Sequence, residues 1–115
     1  MEIKRVDVKT YADFKKKYRD TSILILPIKR IWFDKILSGE KWEEYRNITP
    51  YYKKRLEKYR CKDSFFCGFR AGYRMDSPFI ICQCRLRNGE GLEKWGAEKG
   101  VRYYVLEIKK ASNDF

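Results

Sequence analysis

The sequence predicts an α+β domain built on a strongly curved or closed sheet, and three observations lead there. Five or six extended runs accompany two or three helical stretches. The helical stretches fall early and the extended runs late, without the strict strand-helix alternation of a layered α/β fold. At 115 residues the chain suffices for one core and is too short for two. No repeat, low-complexity stretch or linker divides it, so residues 1 to 115 read as one domain.

Residues 2 to 8 alternate Ile3, Arg5 and Asp7 against Lys4, Val6 and Val8, a weak edge-strand pattern. Thr10 followed by Asp13 forms a capping box with Asp in place of the usual Glu, and Tyr11, Phe14 and Tyr18 recur at helical spacing. A helix is expected over 11 to 19, with Lys15, Lys16, Lys17 and Arg19 at the end that its dipole favours for cations. These two elements make an N-terminal extension over 1 to 21. Ser22 to Ile28 is β-branched and too short for a helix, a buried strand with Pro27 near its end. Trp32, Phe33, Ile36 and Leu37 then mark a short helix over 30 to 38, closed by Gly39 in a left-handed cap.

Trp42 to Ile48 reads as a strand. Thr49-Pro50 supplies an N-cap and a first-turn proline for a helix over 50 to 59 whose apolar stripe is Tyr52, Leu56 and Tyr59. Three more strands are expected at 64 to 69, 79 to 86 and 101 to 109, with Gly68, Gly72, Gly89, Gly91, Gly96 and Gly100 breaking the chain between or beside them. Residues 88 to 96 lack the Gly-Lys-Ser/Thr of a phosphate-binding loop and read as a loop with a short turn that sets Trp95 on the core.

Lys and Arg number 27 against 16 Asp and Glu, a formal charge of +11, which argues for an anionic partner and most simply nucleic acid. With 43% hydrophobic and 17% aromatic residues, that charge sits on a folded surface and not on a disordered tail. Histidine is absent. Its absence removes Ser-His-Asp and Cys-His mechanisms, imidazole acid/base chemistry and every zinc site that uses imidazole. Cys82 and Cys84 share a strand face and read as small core residues ahead of a metal or redox pair. No metal and no cofactor is expected. No apolar run approaches the ~20 residues of a membrane span, and a reducing cytoplasm is the expected setting.

Three constellations bear chemistry. In an extended Trp42 to Arg46, Trp42, Glu44 and Arg46 project from one face and Glu43 and Tyr45 from the other, while Lys41 in the preceding turn can swing over either. A ring to stack on, an acceptor and two cationic donors suit a nucleobase or nucleotide; the same residues also describe a solvated strand whose charges pair with one another. From Arg46 to Lys62 seven cations face the single acid Glu57, with Tyr51, Tyr52 and Tyr59 interleaved. Lys53 and Lys54 lie on this ridge, which is either a single-strand binding surface or a solubilising helix face. Gly72 allows a tight loop presenting Arg70, Tyr73 and Arg74 together, although Asp76-Ser77-Pro78 is ordinary turn chemistry.

Gly39, Lys41, Glu44 and Arg46 match G-x-K-x-x-E-x-R, and in this the chain resembles the ASCH domain of the PUA-like superfamily. Leu26 to Lys29, Trp32 to Ser38, Phe69 to Tyr73, Trp95-Gly96 and Tyr103 to Ile108 look like small stand-alone ASCH proteins of bacteria and phages, so the resemblance spans about 22 to 110. It implies a small β-barrel of five or six strands flanked by helices, with a cleft beside the motif that meets RNA or a modified nucleoside. Some members are amidohydrolases of acetylcytidine with the motif lysine and a threonine as catalytic residues; others are ribonucleases. The lysine corresponds to Lys41. The threonine position holds Glu44, a carboxylate that can act as a general base on water.

The reading that results is a PUA-like barrel whose cleft, lined by Lys29, Lys41, Trp42, Glu44, Arg46, Arg70 and Tyr73, binds RNA or a nucleotide. Lys53, Lys54 and Arg74 add further contacts. The alternatives are a hydrolase with Lys41 and Glu44 as its catalytic pair, acting on a modified nucleoside or an RNA phosphodiester, and an accessory protein docking through exposed aromatics.

Overall fold

A computed structural model describes residues 8 to 111. The strand expected over 2 to 8 lies outside the described residues except for Val8, which is buried and not in a strand. Among the described residues the order is α1 (Tyr11–Lys17), β1 (Leu24–Pro27), α2 (Arg30–Leu37), β2 (Glu43–Asn47), α3 (Pro50–Leu56), a 3-10 turn (Glu57–Tyr59), β3 (Phe65–Arg70), β4 (Phe79–Glu90), a second 3-10 turn (Glu93–Trp95) and β5 (Arg102–Ala111). The five strands form one mixed sheet in the order β1-β3-β4-β5-β2. Only β1 and β3 pair in parallel. The α+β class is therefore as the sequence predicts.

Local chemistry sets several boundaries. Thr10 Oγ1 accepts from the Asp13 amide at 3.1 Å and Asp13 Oδ2 accepts from the Thr10 amide at 3.1 Å, so the capping box closes with Asp as its acid. Thr49 Oγ1 accepts from the Tyr52 amide at 3.2 Å, with Pro50 next in line. Two expected breaks are not breaks. Gly68 lies inside β3 because the Phe79 ring occupies the space a Cβ would need, and Gly89 lies inside β4, where the Arg87 guanidinium folds across it. β4 accordingly continues past Leu86, paired with β5 as far as Glu90↔Arg102.

One face of the sheet holds the main core. Leu24, Leu26, Cys67, Phe69, Ile80, Cys82, Cys84, Leu86, Tyr104 and Leu106 pack there against Phe33 and Ile36 of α2 and Leu56 of α3. On the other face Phe14 of α1 stacks on Phe79 at 4.9 Å, beside Val8 and Ile81. Further along that face Tyr45, Tyr103 and Val105 meet Ala97.

The sheet curls until its first and last strands meet through a side chain. The Ile28 amide donates to Arg70 O at 2.9 Å, so even-numbered residues of β1 turn toward β3 and the carbonyls of Ile25 and Pro27 face the open side. Arg46 Nη2, from β2, donates to Pro27 O at 2.6 Å. Arg55 Nη2, from α3, donates to Ile25 O at 2.8 Å. Pro27 suits this position because no backbone donor is required on that side. The result is a half-barrel whose gap is bridged by guanidinium groups.

Below α3, Glu57 fastens the 3-10 turn to the sheet. Its Oε2 accepts from Arg60 Nε at 2.7 Å and its Oε1 from Tyr104 OH at 3.0 Å. These hydrogen bonds, Arg60's first, hold the Glu57 carboxyl down at about 2 against an ordinary 4.5. A depressed carboxyl stabilises the fold above its unfolded value and loses that contribution as pH falls through its folded value. The stability gap between wild type and Glu57→Gln should thus be fully present at neutral pH and close between pH 4.5 and about 2; a gap that stays constant in acid unfolding titrations would discount the charged tie.

Cys67, Cys82 and Cys84 are fully buried in the main core, as expected for the last two, and burial pushes the Cys67 and Cys84 thiols up. Cys61 is exposed. Native-state labelling with a small maleimide should modify Cys61 promptly and reach the other three only on unfolding. Mass spectrometry showing a second rapid adduct would contradict this packing.

Candidate functional site

The site grows from the turn after α2. Gly39 takes φ +86°, a conformation open to glycine at little cost, and its amide closes on Ile36 O at 3.1 Å. The Lys41 amide then reaches Lys35 O at 2.9 Å. This reversal delivers Lys41 inward, where its residue is only 1% exposed. Its Nζ donates to the Glu43 carbonyl and lies 3.2 Å from Glu44 Oε1. Around the ammonium stand the rings of Tyr45, Trp32 and Trp95, with centroids at 5.0, 5.3 and 5.7 Å. Burial pushes the Lys41 amine down, opposed by the Glu44 charge.

β2 alternates as the sequence predicts. Glu44 and Arg46 pair with Leu106 and Tyr104 of β5 and share the core face with them. Glu44 Oε2 accepts from Arg46 Nη2 at 2.7 Å and Nε at 3.1 Å, and Arg46 Nη1 donates to Tyr52 OH at 3.1 Å. On the opposite face Glu43 accepts from Tyr45 OH at 2.7 Å and from Arg87 Nη2 at 2.8 Å, while Arg87 Nε donates to Glu107 at 3.0 Å. Tyr45 OH also accepts from the Leu92 amide at 2.8 Å, and burial raises its pKa. The strand carrying the motif is thus held from both sides by charged hydrogen bonds.

A cleft of about 420 Å³ opens over this pair, lined by Pro27, Ile28, Lys29, Trp32, Glu44, Tyr45, Arg46, Asn47 and Tyr52. Of the residues expected there, Lys29, Glu44 and Arg46 line it. Lys41 does not; its side chain is covered and bears on the cleft through Glu44. Trp42 is half-exposed and packs edge-on against Trp95 at 4.8 Å, because the strand begins at Glu43 and the inward place before it is taken by Lys41.

Arg70 is separated from the cleft by the sheet. It shares a register position with Pro27 and points to the α1 face, its guanidinium 3.6 Å from the Tyr11 ring centroid. From there it donates to the carbonyls of Tyr73 at 2.8 Å and Arg74 at 3.1 Å. Tyr73 is strongly exposed and Arg74 pairs with Asp76 at 2.9 Å, so this trio does gather, but not beside Glu44. Lys53 and Lys54 are exposed on α3. Arg46, Arg55 and Arg60 of the same basic segment are engaged internally with Glu44, Ile25 O and Glu57.

Trp32, Tyr52 and Asn47 also line the cleft, where none of them is expected from the sequence, Tyr52 being read there as part of the α3 stripe and basic ridge. Both rings sit on apolar helical stripes, where spacing alone reads as core. Among the described residues no group of three His, Cys, Asp or Glu gathers as a metal site, and no helix is long and apolar enough to cross a membrane.

Chemically, the cleft offers aromatic surface, a fixed anion and a fixed guanidinium within one small volume. Comparison with protein-family models, curated proteins and solved structures finds no match.

Glu44 is the counter-charge of buried Lys41 and half-buried Arg46, so Glu44→Ala should destabilise the fold by about 3–5 kcal/mol. The double variant Lys41→Met/Glu44→Gln, which removes one cation with the anion, should lose far less. Urea unfolding of the double variant beside Lys41→Met and Glu44→Gln alone decides this: a double loss equal to the sum of the two single losses would mean that Lys41 and Glu44 are energetically independent.

Proposed function

We propose that the cleft binds a nucleotide, free or within RNA, and that the chain is a reader of the ASCH, PUA-like type to which its Gly39, Lys41, Glu44 and Arg46 point. The carrying observation is the buried Glu44–Arg46 pair set at 2.7 Å in a cleft that also presents the rings of Trp32 and Tyr52. A base has a flat π-face and an edge of donors and acceptors. Glu44 meets an amino group, Asn47 supplies an amide of either polarity, and Lys29 at the rim meets a phosphate.

The hydrolase reading draws support from one feature, the lowered pKa of Lys41, since an acid/base group needs a pKa moved toward neutrality. Against it stands the covering of that side chain, which is 1% exposed and closed over by Glu44. A group sealed beneath a carboxylate positions it and does not reach a substrate. Reading, with ionised groups of fixed orientation, is the function the geometry supports best.

Isothermal titration with the common nucleoside monophosphates and acetylcytidine, followed by mass spectrometry of each mixture, tests this. Wild type should bind at least one member and leave it unchanged. Glu44→Gln should weaken that binding by about 1.5–3 kcal/mol and Trp32→Leu by about 1–3 kcal/mol. Affinities untouched by both variants would remove the cleft from the reading, and a released product would move the chain to the hydrolases.

A further inference from the structure

The Tyr51 ring adjoins Tyr52, a lining residue of the cleft, and the function proposed above does not use it. Tyr51 is 61% exposed, so much of its ring is open to contact. It is also held in place. Its ring meets Tyr52, which lines the cleft, edge-on at 5.0 Å and 82°. The Arg55 guanidinium lies 5.6 Å from its centroid and donates to its hydroxyl at 3.4 Å, while the other arm of Arg55 is fixed to Ile25 O at 2.8 Å. An aromatic restrained by a neighbouring ring and a guanidinium, and still 61% exposed, is a prepared stacking platform, because less side-chain freedom remains to be lost on contact.

The charge around it points to one kind of occupant. Lys53 and Lys54 follow on α3 and are exposed, and the helix carries no acidic residue. The nearest acid in sequence, Glu57, is engaged by Arg60 and Tyr104. Stacking surface and lysines on one short helix are the two components of single-strand recognition.

We infer that Tyr51 stacks the neighbouring base of a single-stranded RNA whose first base occupies the cleft, with Lys53 and Lys54 neutralising the phosphates between and beyond. This rests on the nucleotide reading of the cleft and extends it from a mononucleotide to a strand of at least two residues.

Fluorescence anisotropy and competition with RNA of one, three and six nucleotides separate the two claims. Wild type should gain tenfold or more in affinity from one nucleotide to three. Tyr51→Ala should abolish most of that gain and leave mononucleotide affinity within about twofold. Lys53→Gln/Lys54→Gln should lower the slope of log affinity against log salt by about 1.4, at roughly 0.7 per phosphate contact on a single strand. If mononucleotides bind but Tyr51→Ala keeps the full gain with length, the platform is wrong and the cleft reading survives. If mononucleotides fail to bind while oligomer binding depends on Tyr51, the platform survives and the cleft reading falls. Absence of binding at every length overturns both.

Discussion

The guanidinium of Arg46 is the point on which this structure turns. From β2 it holds Glu44 through two nitrogens, reaches across the open side of the sheet to Pro27 O, and donates to Tyr52 at the start of α3. A planar fork with five donors can serve three elements at once, which a lysine at the same position cannot do. Sheet curvature, the seat of α3 and the orientation of Glu44 all share this group. Its cost is burial, and the cost is bearable because Glu44 lies on the same strand face and cancels the charge locally.

A second cation supports the same carboxylate from beneath. Lys41 is enclosed by the Trp32, Tyr45 and Trp95 rings, so its attraction to Glu44 acts through a medium poor in water, where charges interact more strongly than at a surface. The Glu43, Arg87 and Glu107 network on the far face restrains β2 in the same way. A strand clamped from both sides loses little freedom when something binds beside it, the rigidity that the proposed reading of a nucleotide would need.

The parts legible in the sequence are those governed by local rules. The capping box at Thr10, the left-handed cap at Gly39, the proline-led α3 and the alternation that places Glu44 with Arg46 each depend on a few adjacent residues. The pairing of Cys82 and Cys84 on the core face is of the same kind. What escaped depends on distant register. Nothing near Arg46 announces a contact 19 residues away at Pro27. The parallel pairing of β1 with β3 sends Arg70 to the α1 face, and no short pattern encodes that choice. Asn88-Gly89 looks like a turn until β5 is laid beside it. Trp32 and Tyr52 were hidden by doing two jobs, since a ring that packs a helix onto the core and also borders a cleft leaves the same trace as one that only packs.

An unclosed sheet ordinarily exposes a strand that can recruit a foreign chain, the first step toward fibrous aggregates. Here the outward carbonyls of Ile25 and Pro27 are already occupied by arginines from β2 and α3, and Pro27 offers no amide to an incoming strand. The groups that shape the cleft therefore also make β1 a poor template for polymerisation. One guanidinium, that of Arg46, thus both lines the cleft and occupies the sheet's edge, so losing it would open the two together.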